Sequence, residues 1–422
     1  MWSHMERLEM KTQFSITKIT DLEDNPFDRQ QRISGWDQQK LKDAHVLVVG
    51  AGAIGNETLK NLALLGVGNI YIADFDTIST SNLSRTVLFR KADKGKLKAE
   101  VAAMRTKELA LAEDVNIHYF HGDIVWELGT GVFRSMNLVL GCLDNVETRL
   151  AVNKQCWLAN TPWIDAGIYE LAGHVAVYIP PEPPCYQCGV TKEQLRAARI
   201  RYSCDDFKRT VLEEGKMPTV QVTSSIVSAI QVQEAVKLLC DQKVESGKRI
   251  YFQGRVNDFD ILTLNKNENC YGHATYPEII SLPLSHSVSL REFLEFISQD
   301  NWSGADATLD FRSDRTFVQS VSCKSCGVEI PLNKPSFRIF DTETICRNCI
   351  QNGVDKNDVS RNEQVSSKQS ISEFSLSHTP NDLLNMSLWQ LGVPHRHVVA
   401  VYDRDHNYKY YELSLDNPFT EV

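Results

Sequence analysis

The stretch Val46–Asp76, VLVVGAGAIGNETLKNLALLGVGNIYIADFD, restricts the fold more than any other part of the chain. Val46–Val49 reads as a buried strand. Asn56–Leu65 places Leu59, Leu62, Ala63 and Leu65 on one helical face, and Ile70–Ala73 is a second apolar run that closes on Asp74 and Asp76. Between strand and helix lie Gly50, Gly52 and Gly55, spaced Gly-x-Gly-x-x-Gly. The first glycine permits the tight turn, the second lets a phosphate approach the backbone, and the third lets the helix pack on the sheet. The helix N-terminus then offers unpaired N–H groups to an anion. Asp74, 19 residues after Gly55, stands where an acid can hold ribose hydroxyls. The pattern predicts a nucleotide site, and by itself it suits a nicotinamide dinucleotide as well as ATP.

The alternation continues. Ala92–Leu111 reads as a helix, Asn116–Phe120 and Leu138–Gly141 as strands, Val146–Ala159 as a helix and TPWIDAGI as a strand. Gly173–Ile179 is a further strand, Val222–Cys240 a long helix, and RIYFQGRVNDFDILTLNKN a hairpin that extends the sheet antiparallel. The expected fold is α/β: a Rossmann-like, doubly wound mixed sheet with structural zinc, followed by a smaller zinc-containing α+β region. Residues 1–45 form a polar lead-in, of which 1–5 resemble a cloning scar. Residues 46–273 form the nucleotide domain, with a polar crossover segment at 190–217. Residues 274–422 form a C-terminal region with an amphipathic helix at Leu290–Ile297 and a polar, serine-rich loop within 353–380. PHRHVVAVYDRDHNYKYYELSLD reads as a hairpin, with His395 and His397 as surface histidines.

Composition removes several function classes. The formal charge is −9, and no long basic run is present, so nucleic acid is not an expected partner. No apolar run approaches the ~20 residues of a membrane span, and no signal-peptide core precedes the lead-in. Most of the 11 cysteines fall in Cys-x-x-Cys pairs, which reads as reduced, metal-binding thiols in a cytoplasmic protein.

The residues after Asp74 bear on the choice of nucleotide. DFDTISTSNLSRT supplies Asp76, Asn82 and Arg85, KGKLKAE supplies Lys98, and LGCLDN puts Asp144 just past the fourth strand. In an open parallel sheet the carboxyl ends of the strands form the ligand crevice, so these side chains should share one mouth. A triphosphate carries about four negative charges and needs cations together with a carboxylate for magnesium. Arg85, Lys98 and Asp144 provide that set.

In their order and spacing, GAGAIGNETLKNLALLGVGNIYIADFDTISTSNLSR, KGKLKAE and LGCLDNVETR resemble the ThiF/MoeB-type adenylyltransferases that activate ubiquitin-like proteins, over about residues 25–273. The resemblance implies that Gly50, Gly52 and Gly55 cradle ATP and that Asp74 holds its ribose, with Asp76 beside it. Asn82, Arg85 and Lys98 would contact phosphates, and Asp144 would bind Mg2+. FDRQQRISGW resembles the family's N-terminal segment, so Arg29 would reach phosphate across a homodimer interface. Thr86 departs from the glutamine usual after the arginine. The implied chemistry is attack of a partner's C-terminal carboxylate on the α-phosphate of ATP.

Cys185, Cys188, Cys270 and His273 make two knuckles suited to tetrahedral zinc, with His273 where the family often has cysteine; the alternative is an ordinary surface histidine. Cys323-x2-Cys326 and Cys346-x2-Cys349, 19 residues apart, predict a second zinc site, with a disulfide pair as the alternative. Cys142, Cys156 and Cys240 fall at apolar positions and are expected to be buried. Cys204, in RIRYSCDDFKRT, matches by location the cysteine that carries the partner as a thioester in the family; otherwise it is a loop cysteine. Transfer to a conjugating enzyme docked on residues 274–422 would follow. A sulfur-carrier adenylyltransferase without a thioester is the near alternative. An NAD-dependent oxidoreductase and a non-enzymatic zinc adaptor are the distant ones.

Overall fold

The computed structural model describes residues 25–195, 218–299, 307–312, 315–351 and 365–422. The first apolar run forms β1 (His45–Val49), and its place explains its composition. β2 (Asn69–Ala73) and β4 (Leu138–Gly141) flank it in parallel, so both of its faces are covered. Val46 and Val48 join one apolar cluster while Leu47 and Val49 join another, the period-two split expected of a central strand.

β3 (Asn116–Phe120) extends the sheet beyond β2, and β5 (Trp163–Tyr169) extends it beyond β4, both in parallel. The sheet then turns antiparallel through β6 (Ala172–Tyr178), β7 (Lys248–Gln253) and β8 (Asp258–Thr263), the last two forming the anticipated hairpin. From the far end of the chain, β17 (Thr420–Glu421) pairs antiparallel with β3. The nine-stranded order is β17-β3-β2-β1-β4-β5-β6-β7-β8.

The lead-in supplies two short helices, α1 (Asp28–Gln31) and α2 (Gln38–Asp43). α3 (Ala53–Leu65), α4 (Lys98–Leu109) and α8 (Gln221–Leu239) pack on one face of the sheet. α5 (Ile124–Glu127), α6 (Thr130–Arg134) and α7 (Val146–Leu158) pack on the other. α4 begins at Lys98, six residues later than the apolar pattern implies. Gly95 adopts φ +86° and Asp93 caps a short 3-10 turn at Lys91–Asp93, so the chain reverses before the helix starts.

The C-terminal region has its own core around Phe293, Leu294, Leu309, Phe374 and Leu413. α9 (Leu290–Ser298) carries a full Ser289–Glu292 capping box and buries Leu290, Phe293, Leu294 and Ile297. Five strands form one sheet: β9 (Ile279–Leu282), β10 (Thr308–Asp310), β14 (Glu373–Phe374), β15 (Val398–Tyr402) and β16 (Tyr408–Leu413). β11 (Phe317–Cys323), β12 (Glu329–Pro335) and β13 (Val365–Ile371) form a second.

Two expectations for this region are corrected. Part of the serine-rich stretch expected as loop is strand: Val365–Ile371 adds to β11 antiparallel, with Phe317 opposite Ile371. A polar strand at a sheet edge contributes backbone hydrogen bonds without an apolar face, so composition alone conceals it. The two histidines also differ from the expectation: His395 is half-buried and His397 is buried. His397 is only 4% exposed. The His395 carbonyl accepts a hydrogen bond from the Gly129 N–H at 2.9 Å, pinning this segment to the nucleotide domain. Among the described residues no helix is long and apolar enough to cross a membrane.

Candidate nucleotide-binding active site

β1 is the strand at which the winding reverses: β2 and β3 run off to one side, β4 and β5 to the other. The carboxyl ends of β1 and β4 therefore open a crevice, and the glycine loop occupies it. Gly50 holds φ +96°, and a Cβ there would lie 2.5 Å from the Cys142 carbonyl oxygen. A Cβ on Gly55 would lie 1.9 Å from the Gly50 carbonyl oxygen, so only glycine lets α3 enter this close. Gly52 differs: nothing lies within 4 Å of the position its Cβ would take. The loop is tight against protein on two sides and open on the third, where a phosphate would approach.

Asp74 is 8% exposed and organises the loop. One carboxylate oxygen accepts from the Ala51 N–H and the other from the Asp76 N–H, both at 2.7 Å. Burial pushes its carboxyl upward, with the nearby Lys98 ammonium and the two N–H donors pulling the other way. Lys98 lies 2.6 Å from Asp76, whose side chain is 50% exposed, and its own backbone N–H donates to the Asp76 carbonyl. The first turn of α4 thus delivers an ammonium to the mouth, paired with the one carboxylate of the acid pair that faces water.

Asn82 is buried, and its side-chain oxygen accepts from both the N–H and the hydroxyl of Ser79, capping the turn Thr80–Asn82. Arg85 follows, its N–H bonded to the Asn82 carbonyl. Among the described residues its guanidinium has no hydrogen-bond or ion-pair partner, while Lys96 is taken up by Asp93 at 3.0 Å. Thr86 is buried and donates its hydroxyl to the Asn82 carbonyl, so its local role is to close this turn. Asp144 lies beyond β4 on the exposed segment leading into α7, where among the described residues its carboxylate accepts only from the Asn145 side chain, at 3.1 Å. An exposed carboxylate with free lone pairs at the crevice edge fits a magnesium ion.

Two supporting groups escape motif-based reasoning. Asn56 donates to the Ala51 and Gly52 carbonyls and accepts from the Leu88 N–H, tying the glycine loop to the segment that carries Arg85. Arg149, 9% exposed, bonds the Leu143 carbonyl and pairs with fully buried Asp165 at 2.8 Å, while His174 approaches the other Asp165 oxygen at 3.3 Å. Burial opposes ionisation of Asp165, but Arg149 and His174 outweigh it and hold the carboxyl at about 2. The Leu143 carbonyl adjoins Asp144, so this buried pair sets the position of that acid.

Arg29 is exposed on α1. Neighbouring Gln30 bonds the Leu65 carbonyl, and Phe27 packs at Gly66, at the end of α3 opposite the glycine loop. Thirteen helical residues separate the two ends by about 20 Å, so Arg29 does not belong to the crevice of its own chain. Cys204 lies outside the described residues.

The cysteines gather as anticipated. Cys185, Cys188, Cys270 and His273 put their ligand atoms within 4.8 Å of one another, with Cys188 Sγ 3.1 Å from His273 Nε2. Burial lowers the His273 pKa, which keeps the imidazole neutral as a ligand must be. The Asn267 and Gly272 N–H groups donate to sulfur, as supporting bonds around a metal do. Cys323, Cys326, Cys346 and Cys349 form the second cluster, with Sγ separations of 3.6 Å (323–349) and 3.5 Å (326–346). These are too long for disulfides. Backbone N–H donation from Val328 lowers the exposed Cys326 thiol to about 6. Both donor sets are compatible with zinc. Cys142, Cys156 and Cys240 are buried as expected.

Comparison with known proteins places this geometry. Molybdopterin-synthase adenylyltransferase of Salmonella typhimurium is 30% identical over 260 residues, 60% of this chain and 98% of that protein. SUMO-activating enzyme subunit 2 of Dictyostelium discoideum is 41% identical over 150 residues, 35% of this chain but 22% of that protein, so the chain spans about a fifth of this relative. In fold, the crystal structure of E. coli MccB with succinimide matches at a TM-score of 0.50 and 23% identity, over 61% of this chain and 75% of that one. The description "ThiF family" fits residues 27–272, more than half of the 422, and the chain belongs to that family.

Proposed function

We propose that the protein is an ATP-dependent adenylyltransferase for the C-terminal carboxylate of a ubiquitin-like or sulfur-carrier protein. The single observation that carries this is the glycine loop left open at Gly52 with the Lys98 ammonium at its mouth, joined through Asn56 to the segment of Arg85, whose guanidinium has no partner among the described residues. A redox dinucleotide has less need of a free cation at this position than a triphosphate tail. The kinship with adenylyltransferases supports the same choice.

In the reaction, a carboxylate oxygen of the partner attacks the α-phosphorus of ATP, the bond to the bridging oxygen breaks, and pyrophosphate leaves. The product is an acyl-adenylate. Little acid–base work is required, so positioning and charge stabilisation dominate. The Gly50–Gly55 loop and the N-terminus of α3 receive phosphate, and Asp74 holds both the loop and the ribose. Arg85 and Lys98, with Asn82 shaping the turn, stabilise charge that moves onto the leaving group. Asp144 would hold magnesium, which when bound neutralises part of the phosphate charge. Arg29 completes the crevice of a second copy in a homodimer, a role supported by its distance from its own loop. The clustered free thiols suit a reducing cytoplasm.

A second step follows in this proposal. The Cys204 thiolate attacks the acyl carbon and AMP leaves, giving a thioester that a conjugating enzyme can accept. ATP–pyrophosphate exchange is the test of the first step. It should require the partner's free C-terminus and vanish in Asp144→Ala. Exchange that persists in that variant contradicts the magnesium assignment. For the second step, Cys204→Ala should retain exchange and lose a reductant-sensitive conjugate. An unchanged conjugate contradicts the Cys204 assignment, and exchange with no such conjugate in the wild type returns the protein to the sulfur-carrier class.

A further inference from the structure

Three connecting segments of the C-terminal region meet where it touches the nucleotide domain, and each brings one metal-ligating side chain. His286 lies between β9 and α9, His395 just before β15, and Asp416 just after β16. Their ligand atoms all lie within 4.8 Å of one another. His286 Nδ1 stands 2.7 Å from Asp416 Oδ1, with side-chain exposures of 15% and 5%. That nitrogen is shielded from solvent and, despite the short separation, makes no directed hydrogen bond. The two imidazoles lie with ring centroids 4.1 Å apart, and Trp389 packs on both, at 5.3 and 5.5 Å.

The group is braced from outside. Asp416 accepts from the Ser285 hydroxyl at 2.7 Å and the His286 N–H at 2.9 Å, which orients its carboxylate. The backbone of His395 bridges Leu128, and the Gly129 and Gly131 N–H groups bond the His395 and Arg396 carbonyls. Bonds that fix a carboxylate ligand and an aromatic wall that limits solvent are what a metal site needs around its ligands.

We propose that His286, His395 and Asp416 bind a divalent transition-metal ion, zinc in the first instance, which ties together three connecting segments of the C-terminal region where it meets the nucleotide domain. Two imidazoles and one carboxylate suit zinc, and hard magnesium or calcium prefers an all-oxygen set. Three protein ligands leave a position for water, so this site exchanges its metal more readily than the two cysteine clusters do. The competing explanation is a pair of tilted, touching histidines held by Asp416 with no metal.

The test is zinc stoichiometry of the full chain, loaded with zinc, dialysed against metal-free buffer and analysed by mass spectrometry. Three ions per chain are expected, one for each ligand group, falling to two in both His286→Ala and His395→Ala. The variants should also lose the part of the thermal stabilisation that added zinc gives the wild type. Equal zinc in wild type and variants overturns the proposal. Should a variant fail to fold, Co2+ added to the zinc-containing wild type decides. Visible d–d bands without sulfur-to-cobalt charge transfer are expected from an N/O ligand set. Their absence, or charge-transfer bands alone, overturns the site.

Discussion

The nucleotide crevice and the Cys323–Cys349 module rest on opposite foundations. The crevice sits at the end of a strand whose residues Val46–Val49 are wholly buried between two apolar clusters. Its chemistry is carried by side chains that project from this core and contribute little to it. Around the second cysteine group, by contrast, the local cluster consists of Cys323, Cys346 and Cys349, with Ile330, Ile345 and Ile350 against them. There the ligands are the core. The difference teaches that a functional residue of the crevice can be removed without unfolding its scaffold, whereas a ligand of the module cannot.

The largest effect should therefore come from removing the metal of the module. Structural zinc contributes about 10–16 kcal/mol of apparent binding energy in small domains. Cys346→Ser should expose the amides of β11 and β12 to hydrogen exchange while β1 and β4 stay protected. Continued protection of β11 would break the contrast. Next comes the buried pair under the crevice. Asp165→Asn leaves Arg149 with an unpaired buried charge and should cost about 3–5 kcal/mol in urea denaturation. A loss well below that range would mean the site rests less on its core than proposed.

Arg85→Ala sharpens the comparison from the other side. Losing one preorganised donor should cost about 2.7–4 kcal/mol of transition-state stabilisation. Stability should move by no more than about 0.5 kcal/mol, as at an ordinary surface position. Pyrophosphate exchange and a melting curve on the same sample check both. The smallest effect is pH-dependent. Asp165 ionises at about 2 in the folded chain, below about 3.9 in the unfolded one, so its contribution is fully present above the unfolded value. It is lost as pH falls through 2, up to about 2.6 kcal/mol. Asp165→Asn should abolish that slope, and an unchanged acid limb would refute the assignment.

How legible each part was follows from the same contrast. The glycine loop, the acid pair and the alternating strands were readable because each rests on local chemistry: a turn that only glycine can make, a period-two strand, ligands at short spacing. Asn56, Arg149 and His174 were not, because they act by bonding carbonyls, an N–H and a buried carboxylate that only the folded chain brings to them, and no spacing pattern marks such contacts. β13 was hidden because an edge strand can be polar throughout. His397 was misread as exposed because the segment that covers it joins α5 to α6, some 270 residues earlier in the chain, and half-buried His395 because His286, distant in sequence, packs on its ring together with Trp389. The start of α4 was misplaced because apolar periodicity continues through a turn that Gly95 and Asp93 impose.

The central claim is that the crevice grips a triphosphate through the Arg85 guanidinium, which has no partner among the described residues. Calorimetric titration of the full chain with Mg·ATP and with NADH tests it most directly. The account predicts heat and saturation with Mg·ATP, greatly weakened in Arg85→Ala, and none with NADH. Saturable binding of NADH with no response to Mg·ATP would contradict it.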